Sequence, residues 1–459
     1  MTPQEVKSYL DSFINHEHHL ERLKRHPFKL ERMKRLLEVL GRPDDHLRII
    51  HVAGSKAKGS TSAIIASILR EAGYRVGLYT SPHLNHPRER IRILDRGRPT
   101  HLDLLEIFTD AIPEEDLVSL VGELKPKIES VRFDRDLASL SFFEVYTALA
   151  LCYFNQQKID FAVLETGVGG RLDATNVPSS LVCAITPISL EHTAMLGDTV
   201  EKIAVEKAAI IKSHDQRVVI APQHAGALKV IEDRCRAFHI HPVMIGRDIR
   251  YDFVAYNKES QIFNLHSAKN EYSHLTLSLL GDHQLANAAT AIGVIESLQE
   301  LGFTIRREAV ENGCRRVFWP ARFEIIQEAP TIVLDGAHNE DSCRALNATI
   351  KRIFPNRKIH LIFGFSSDKN ILSMTRELNN MAYRVIFTKA NHPRSADATA
   401  GELQSWFPNK ECIKTKNVKE ALGAVNNISG DDIIFVTGSL FVVSEARGLL
   451  RQEVCDVST

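Results

Sequence analysis

The sequence predicts an α/β protein built from two doubly wound, mostly parallel sheets, the second smaller than the first. Three observations carry this expectation. Short apolar runs alternate with longer amphipathic stretches along nearly the whole chain, as strands packed between helices require. The pattern restarts after a helical stretch ending near Leu301 and Gly302. A length of 459 residues also exceeds what one core ordinarily organises. The expected units are therefore 1–302 and 303–459.

In the first unit the candidate strands are 47–53 (LRIIHVA), 76–80 (VGLYT), 160–165 (DFAVLE), 181–186 (LVCAIT) and 217–221 (RVVIA). Helical patterns at 60–72, 141–157, 200–212 and 283–302 alternate with them. Each strand runs into a turn rich in Gly, Ser or Pro, so functional loops should gather at the carboxyl ends of a parallel sheet. Residues 250–280 read as a meander of short strands at an antiparallel edge. The second unit offers strands at 331–335, 358–363, 383–388 and 432–436, with helices at about 340–353, 370–380, 417–426 and 440–451. There is no low-complexity segment and no short-period repeat.

Composition excludes several function classes. Lys+Arg and Asp+Glu are equal at 57 each, so no global field draws the chain to nucleic acid or a membrane. No apolar run approaches the roughly 18 residues needed to span a bilayer. The first residues, MTPQEVKSYLDSF, lack the apolar core of a signal peptide. Seven cysteines are scattered without a CxxC pair, which argues against a disulfide framework and a zinc site. They read as buried thiols of a protein in a reducing, cytoplasmic compartment.

The first chemical signal is HVAGSKAKGSTSAIIASILREAG, a strand, a glycine-containing loop and a helix. Such a loop turns backbone N–H groups toward an anion, and the helix adds the positive end of its dipole. In Gly54, Ser55, Lys56, Ala57, Lys58, Gly59, Ser60 and Thr61, Lys58 is placed to reach β/γ-phosphates and Ser60 is the nearest hydroxyl for Mg²⁺. The general GxxxxGK[ST] pattern is met imperfectly, with Ala57 where glycine is usual and Gly59 after the lysine. The segment taken alone also fits a tight turn with a solvated lysine.

Other segments admit two readings each on local grounds. Glu144, in the apolar stretch SFFEVYTALAL, is either exposed on a polar stripe or buried against a cation. His192, in SLEHTAMLG after a strand, is a hydrogen-bonding loop residue or a ligand. Lys207 is a surface lysine beside an acid or a buried functional amine. GVGGRLDATN, with Arg171 and Asp173, is a strand-to-helix corner or a ligand-facing loop. His283, Gln284 and Asn287 share one face of a helix start and serve capping or a site.

Taken together, these segments resemble the folylpolyglutamate synthase/dihydrofolate synthase family of the Mur ligase superfamily. HVAGSKAKGST, YTSPHL, SFFEVYTALAL, LETGVGGRLDATNV, SLEHTAMLG, VEKAAIIK and GDHQLANAATA follow in family order. WPARFE, LDGAHN, FGFSSDKN, NHPRSA and VTGSLFVVSEAR continue it to the end of the chain. Only about 50 residues precede the phosphate loop, too few for the nucleotide-sugar domain of muramyl peptide ligases. SPHL and the LERM helix at 30–33 also look like the folate branch.

The resemblance implies an ATP-dependent ligase that joins L-glutamate to dihydropteroate or a folate through an acyl phosphate. It implies Mg²⁺, in two sites, held by Ser60, Glu144, His192 and Lys207, the last as a carbamate. Lys58, His192 and Lys207 become catalytic, while Asn287, Arg322 and Asp335 join the loop around ATP. Ser81, Pro82, His83, Leu84, Arg171, Asp173, His338 and Ser439 line the acid and glutamate sites, with Lys369 beside them. A monomer is implied as well. Lys56, Ala57, Glu191, Ala209, Ala321 and Glu340 depart from the family pattern. Two alternatives stay open, a same-fold ligase for a different acid and a catalytically silent nucleotide- or folate-binding homologue.

Overall fold

A computed structural model describes residues 1–15, 29–98, 100–103, 107–134, 139–425 and 428–457. The first sheet contains β1 (Ile49–Ala53), β2 (Val76–Tyr79), β3 (Ile91–Leu94), β4 (Phe161–Glu165), β5 (Val182–Ile185), β6 (Arg217–Ile220) and β7 (Val243–Met244). Their order is β3-β2-β4-β1-β5-β6-β7, parallel except for the β2–β3 pair. The central strands are apolar at nearly every position because both faces are covered. Ile50, Val52, Val163, Ala184 and Val219 point into a core with helices Lys58–Glu71, Asp282–Glu300 and Arg307–Arg316. Ile49, Ala162 and Leu164 face the opposite core with helices Pro3–Asp11, Leu30–Val39, Glu114–Arg132 and Phe142–Gln156.

Strands β8 (Arg250–Tyr256), β9 (Gln261–His266) and β10 (Glu271–Leu277) form the antiparallel meander that the sequence suggested. The first core continues beyond residue 302. Ile305, Ala309, Val310, Cys314 and Val317 belong to it. Helix Arg307–Arg316 lies so close to helix Lys58–Glu71 that a Cβ at Gly313 would meet the Ile68 backbone at 2.5 Å. The change of core therefore comes after Val317, later than the turn at Gly302 suggested.

The second sheet contains β11 (Glu324–Glu328), β12 (Thr331–Leu334), β13 (Ile359–Phe363), β14 (Ala382–Phe387), β15 (Glu411–Lys414) and β16 (Ile433–Thr437). Its order is β11-β12-β16-β13-β14-β15, parallel except at β11. Val333, Leu361, Val385 and Phe435 face one core, and Leu334, Ile362, Ile386 and Val436 the other. Short edge strands β3, β7, β11 and β15 carried too little apolar pattern to be expected. Among the described residues no helix is long and apolar enough to cross a membrane. Cys152, Cys183, Cys235, Cys314 and Cys343 are buried free thiols, as their apolar contexts suggested.

Candidate active site

The loops at the carboxyl ends of β1, β2, β4 and β5 face those after β12, β13, β14 and β16 across one cavity of about 1100 Å³. Its floor is the phosphate-type loop. Gly54 leaves β1 with φ +156°, and a Cβ there would fall 1.8 Å from Thr186 Oγ1. The N–H groups of Ser55 and Lys56 donate to Pro187 O, and Ser55 Oγ donates to Ser189 O at 3.0 Å. Ala57 sits in the left-handed region at φ 66° and opens helix Lys58–Glu71 without a side-chain cap. The first N–H groups of that helix and the Lys58 amine are thus directed at the cavity that Lys58, Gly59 and Ser60 line. Thr61 is fully buried beneath the loop and does not line the cavity. Lys56 reaches across the cleft to pair with Asp341 at 2.5 Å, at the start of helix Glu340–Ile353.

Glu165, the last residue of β4, stands beside this loop. Its Oε2 accepts the Ser81 N–H at 3.1 Å and would lie 3.5 Å from a Cβ at Gly59. Burial pushes the carboxyl up to about 7, against the opposing pull of Lys58, the Ser81 N–H and Arg322. Glu144 is differently placed. Its Oε1 accepts from Arg32 Nε at 2.9 Å, and its Oε2 accepts from both Ser141 N and Ser141 Oγ at 2.7 Å. That is a capping box with a buried ion pair, so both oxygens of the carboxylate expected to hold Mg²⁺ are already engaged.

Lys207 lies 1% exposed below the loop, donating to Gly54 O at 2.7 Å and pairing with Glu191 Oε1 at 2.7 Å. Burial lowers the Lys207 amine to about 8 despite Glu191. Against the desolvation that would raise it, the half-buried Glu191 carboxyl is held down to about 2 by Lys207, Lys58 and His192. Glu191, one of the departures from the family pattern, thus contacts the lysine directly. His192 adopts φ 45° and lines the cavity, with its imidazole lowered to about 4 by burial.

In GVGGRLD, Asp173 serves its own loop. Its Oδ2 accepts the Gly167 and Val168 N–H groups at 2.9 Å, and its Oδ1 accepts Thr175 N and Oγ1. Arg171 turns away from the cavity and pairs with Glu206 at 3.0 Å, half-exposed. Arg171 thus stays outside the cavity, because the tight Gly169–Gly170 turn packs against helix Val200–Ala208, whereas Asp173 lines the cavity with both oxygens engaged within its own loop. Ser81, Pro82, His83 and Leu84 all line the cavity. Leu84 O accepts from Ser444 Oγ of the second unit at 2.8 Å, so this loop bridges the cleft.

Across the cavity stand Gln284 and Asn287, joined by a 2.8 Å hydrogen bond, with Arg322, Asp335, His338, Lys369 and Ser439. Asp335 accepts the N–H groups of Phe323 and Ala337 at 2.8 Å, one on each oxygen. Burial raises its carboxyl against Arg322 and these two N–H groups. His338 Nδ1 is 2.8 Å from Gly336 O, and burial lowers the ring to about 4. Ala321, where glycine is usual, has φ 59°. Ala57 and Ala321 thus both occupy left-handed backbone, Ala57 lining the cavity and Ala321 fully buried next to the cavity-lining Arg322.

With this geometry in place, comparison with known proteins is decisive. The chain matches the Mur ligase middle domain over residues 128–295 and the Mur ligase glutamate ligase domain over 321–440. It is 35% identical over 434 residues to the dihydrofolate synthase/folylpolyglutamate synthase of Bacillus subtilis, covering 92% of this chain and 95% of that relative. The chain belongs to the folylpolyglutamate synthase/dihydrofolate synthase family. The crystal structure of folylpolyglutamate synthase from Thermotoga maritima superposes with a TM-score of 0.81 at 31% identity, over 98% of this chain and 97% of that one. A folylpolyglutamate synthase–AMPPCP–folate complex gives a TM-score of 0.81 at 29% identity, over 98% of this chain and 100% of that one.

Glu165 is the residue that sequence reasoning passed over. Its signal was present, a carboxylate ending the apolar strand DFAVLE at the carboxyl edge of a parallel sheet. The match to the LETGVGG motif drew attention to the glycines instead.

Proposed function

We propose that this family member adds L-glutamate to dihydropteroate, tetrahydrofolate or both, using ATP and an acyl-phosphate intermediate. The observation that carries this is the juxtaposition of Lys58, an uncapped helix start and buried Glu165 with Arg322, Asp335 and His338 across one cavity. In the reaction, an oxygen of the acid's carboxylate takes the γ-phosphoryl group and ADP leaves. The glutamate amine then attacks the acyl carbon, and inorganic phosphate departs with that oxygen.

Lys58 and the helix start would hold the β- and γ-phosphates, and Arg322 would meet them from the second unit. Asp335 and Asn287 would contact the nucleoside, His338, Lys369 and Ser439 the incoming glutamate, and residues 81–84 the acid. Since half of these groups sit on each unit, closure of the cleft would complete the site.

Among the described residues no preassembled cluster of three or more His, Cys, Asp or Glu side chains exists. Mg²⁺ nevertheless fits, because it keeps several waters and takes few protein ligands alongside substrate phosphates. Glu165, with its raised carboxyl, Ser60 and His192 are the residues that would hold it, in place of Glu144. When bound, Mg²⁺ would neutralise phosphate charge.

Lys207 is proposed as a carbamylation site, Lys–NH₂ + CO₂ giving Lys–NH–COO⁻ and a proton. A carbamate there would set a second negative charge beside Glu191, and these two groups would be the ones to hold a second Mg²⁺, which would neutralise them. Its test is phosphate-transfer rate with and without bicarbonate, where an unchanged rate removes the carbamate. The functional reading itself is tested by ADP formation with L-glutamate and Mg²⁺, comparing dihydropteroate, tetrahydrofolate and no acid. Acid-dependent turnover is expected, and ADP formation indifferent to both acids would refute it.

A further inference from the structure

Trp319 sits on the segment that joins the two units, between Val317 of the first core and Ala321 of the second. Pro320 follows it, and a residue before proline has few backbone options. Its indole rests on the phosphate-type loop. A Cβ built at Gly59 would meet Trp319 Cζ2 at 3.0 Å and Cε2 at 3.4 Å. Gly59 lies in the first turn of helix Lys58–Glu71, outside the left-handed region. The close approach of the indole, and not backbone conformation, therefore calls for glycine at this position.

The ring has a second support. Trp319 stacks on the buried Phe108, with 6.0 Å between ring centroids and 25° between the planes. The Arg92 guanidinium, on β3, lies 3.7 Å from the Phe108 ring centre and 5.9 Å from that of Trp319. Asp110 fixes that guanidinium in turn, accepting from Arg92 Nε at 2.7 Å and from Nη2 at 2.9 Å. A connected cluster thus runs from β3 through Phe108 and Trp319 to the start of the phosphate helix.

We propose that Trp319 is a positioning residue for the nucleotide. Seated on Gly59, it sets where the start of helix Lys58–Glu71 stands relative to the joint between the units. The backbone N–H groups that would hold the phosphates keep their place while the indole keeps its own. Nucleotide affinity and the setting of the joint are thereby linked through one ring. That the occupant is ATP rests on the function proposed above, whereas the contact between Trp319 and Gly59 does not.

The test is a double-mutant cycle on the full chain, read as ADP affinity by titration calorimetry and as apo stability in urea melts. Gly59→Ala is expected to weaken ADP binding about tenfold, because its methyl pushes the helix start away from the indole. In a Trp319→Phe background, whose smaller ring withdraws the edge facing Gly59, the same substitution is expected to cost less than about threefold. Trp319→Ala alone is expected to raise KM for ATP about tenfold, with KM for L-glutamate within about twofold. Equal losses of ADP affinity from Gly59→Ala in both backgrounds overturn the proposal, since an indole that merely touched the nucleotide would give them. Coupling in stability without coupling in ADP affinity assigns a structural contact alone and overturns it as well. Wild-type protein that binds ADP but turns over neither acid removes the function proposed above and leaves the cycle to decide the role of Trp319.

Discussion

The two walls of the cleft each present a carboxylate at a strand end, and they treat it differently. Asp335 after β12 has a backbone N–H on each oxygen and a guanidinium nearby. Glu165 at the end of β4 has one backbone N–H and otherwise only through-space cations. A braced carboxylate is a fixture whose geometry the fold has already settled. An under-compensated one is held in place by the surrounding core and gains most when a cation arrives. On the function proposed above, the first unit would supply the carboxylate that gains most from a cation, and the second a braced one.

The largest effect should come from the under-compensated wall. Glu165→Gln and Lys58→Ala are each expected to lower turnover about 10²–10³-fold, read as initial rates of ADP formation. A loss under threefold for Glu165→Gln would break the contrast between the walls.

The same substitution should act in the opposite direction on stability. A carboxyl raised from 4.5 to about 7 binds its proton more tightly folded than unfolded. The apo fold therefore loses stability as pH rises through that window, by up to about 3 kcal/mol. Glu165→Gln should be more stable than wild type in urea melts at pH 8, with the gain vanishing near pH 4. A gain of equal size at both pH values would assign the effect to packing instead.

Asp335→Asn should do the reverse. An amide replaces one accepting oxygen with a donor and leaves Phe323 or Ala337 N–H unpaired, at a cost of about 1–3 kcal/mol at neutral pH. Urea melts sharpen the comparison, since a neutral result would mean that Asp335 is not a brace.

The smallest effect concerns the loop itself. Ala57→Gly relieves a left-handed residue worth about 1–2 kcal/mol but adds glycine's chain entropy of about 0.5–1 kcal/mol. A net gain of about 0.5–1 kcal/mol is expected, with ADP binding unchanged or tighter by titration calorimetry.

Most of the architecture was legible in the sequence because the central strands are continuously apolar and their loops carry the glycine-, serine- and proline-rich motifs. The placement of Lys58, Ser60, His192, Asn287, Arg322, Asp335 and His338 on one cavity was legible through the motifs. What escaped depends on partners far away in the chain. Nothing near Glu144 announces Arg32, 112 residues earlier, as its ion-pair partner. Nothing in GGRLD shows that Arg171 turns toward Glu206 or that Asp173 spends both oxygens on its own turn. The αL conformation of Ala57 was foreshadowed by the missing glycine, whereas the Lys56–Asp341 bridge required the packing of the two units. Helix Arg307–Arg316 was missed for a related reason. It is strongly polar on one side, and its narrow apolar face acquires meaning only against helix Lys58–Glu71.

The central claim is that the acid is activated as an acyl phosphate in this cleft. The most direct measurement uses dihydropteroate labelled with ¹⁸O in its carboxylate, with L-glutamate, ATP and Mg²⁺, followed by mass analysis of the released phosphate. Tetrahydrofolate labelled in the same way serves if it is the acid turned over. The account predicts one ¹⁸O transferred to inorganic phosphate for each glutamate added. Label appearing in AMP, or product formed with unlabelled phosphate, would contradict it.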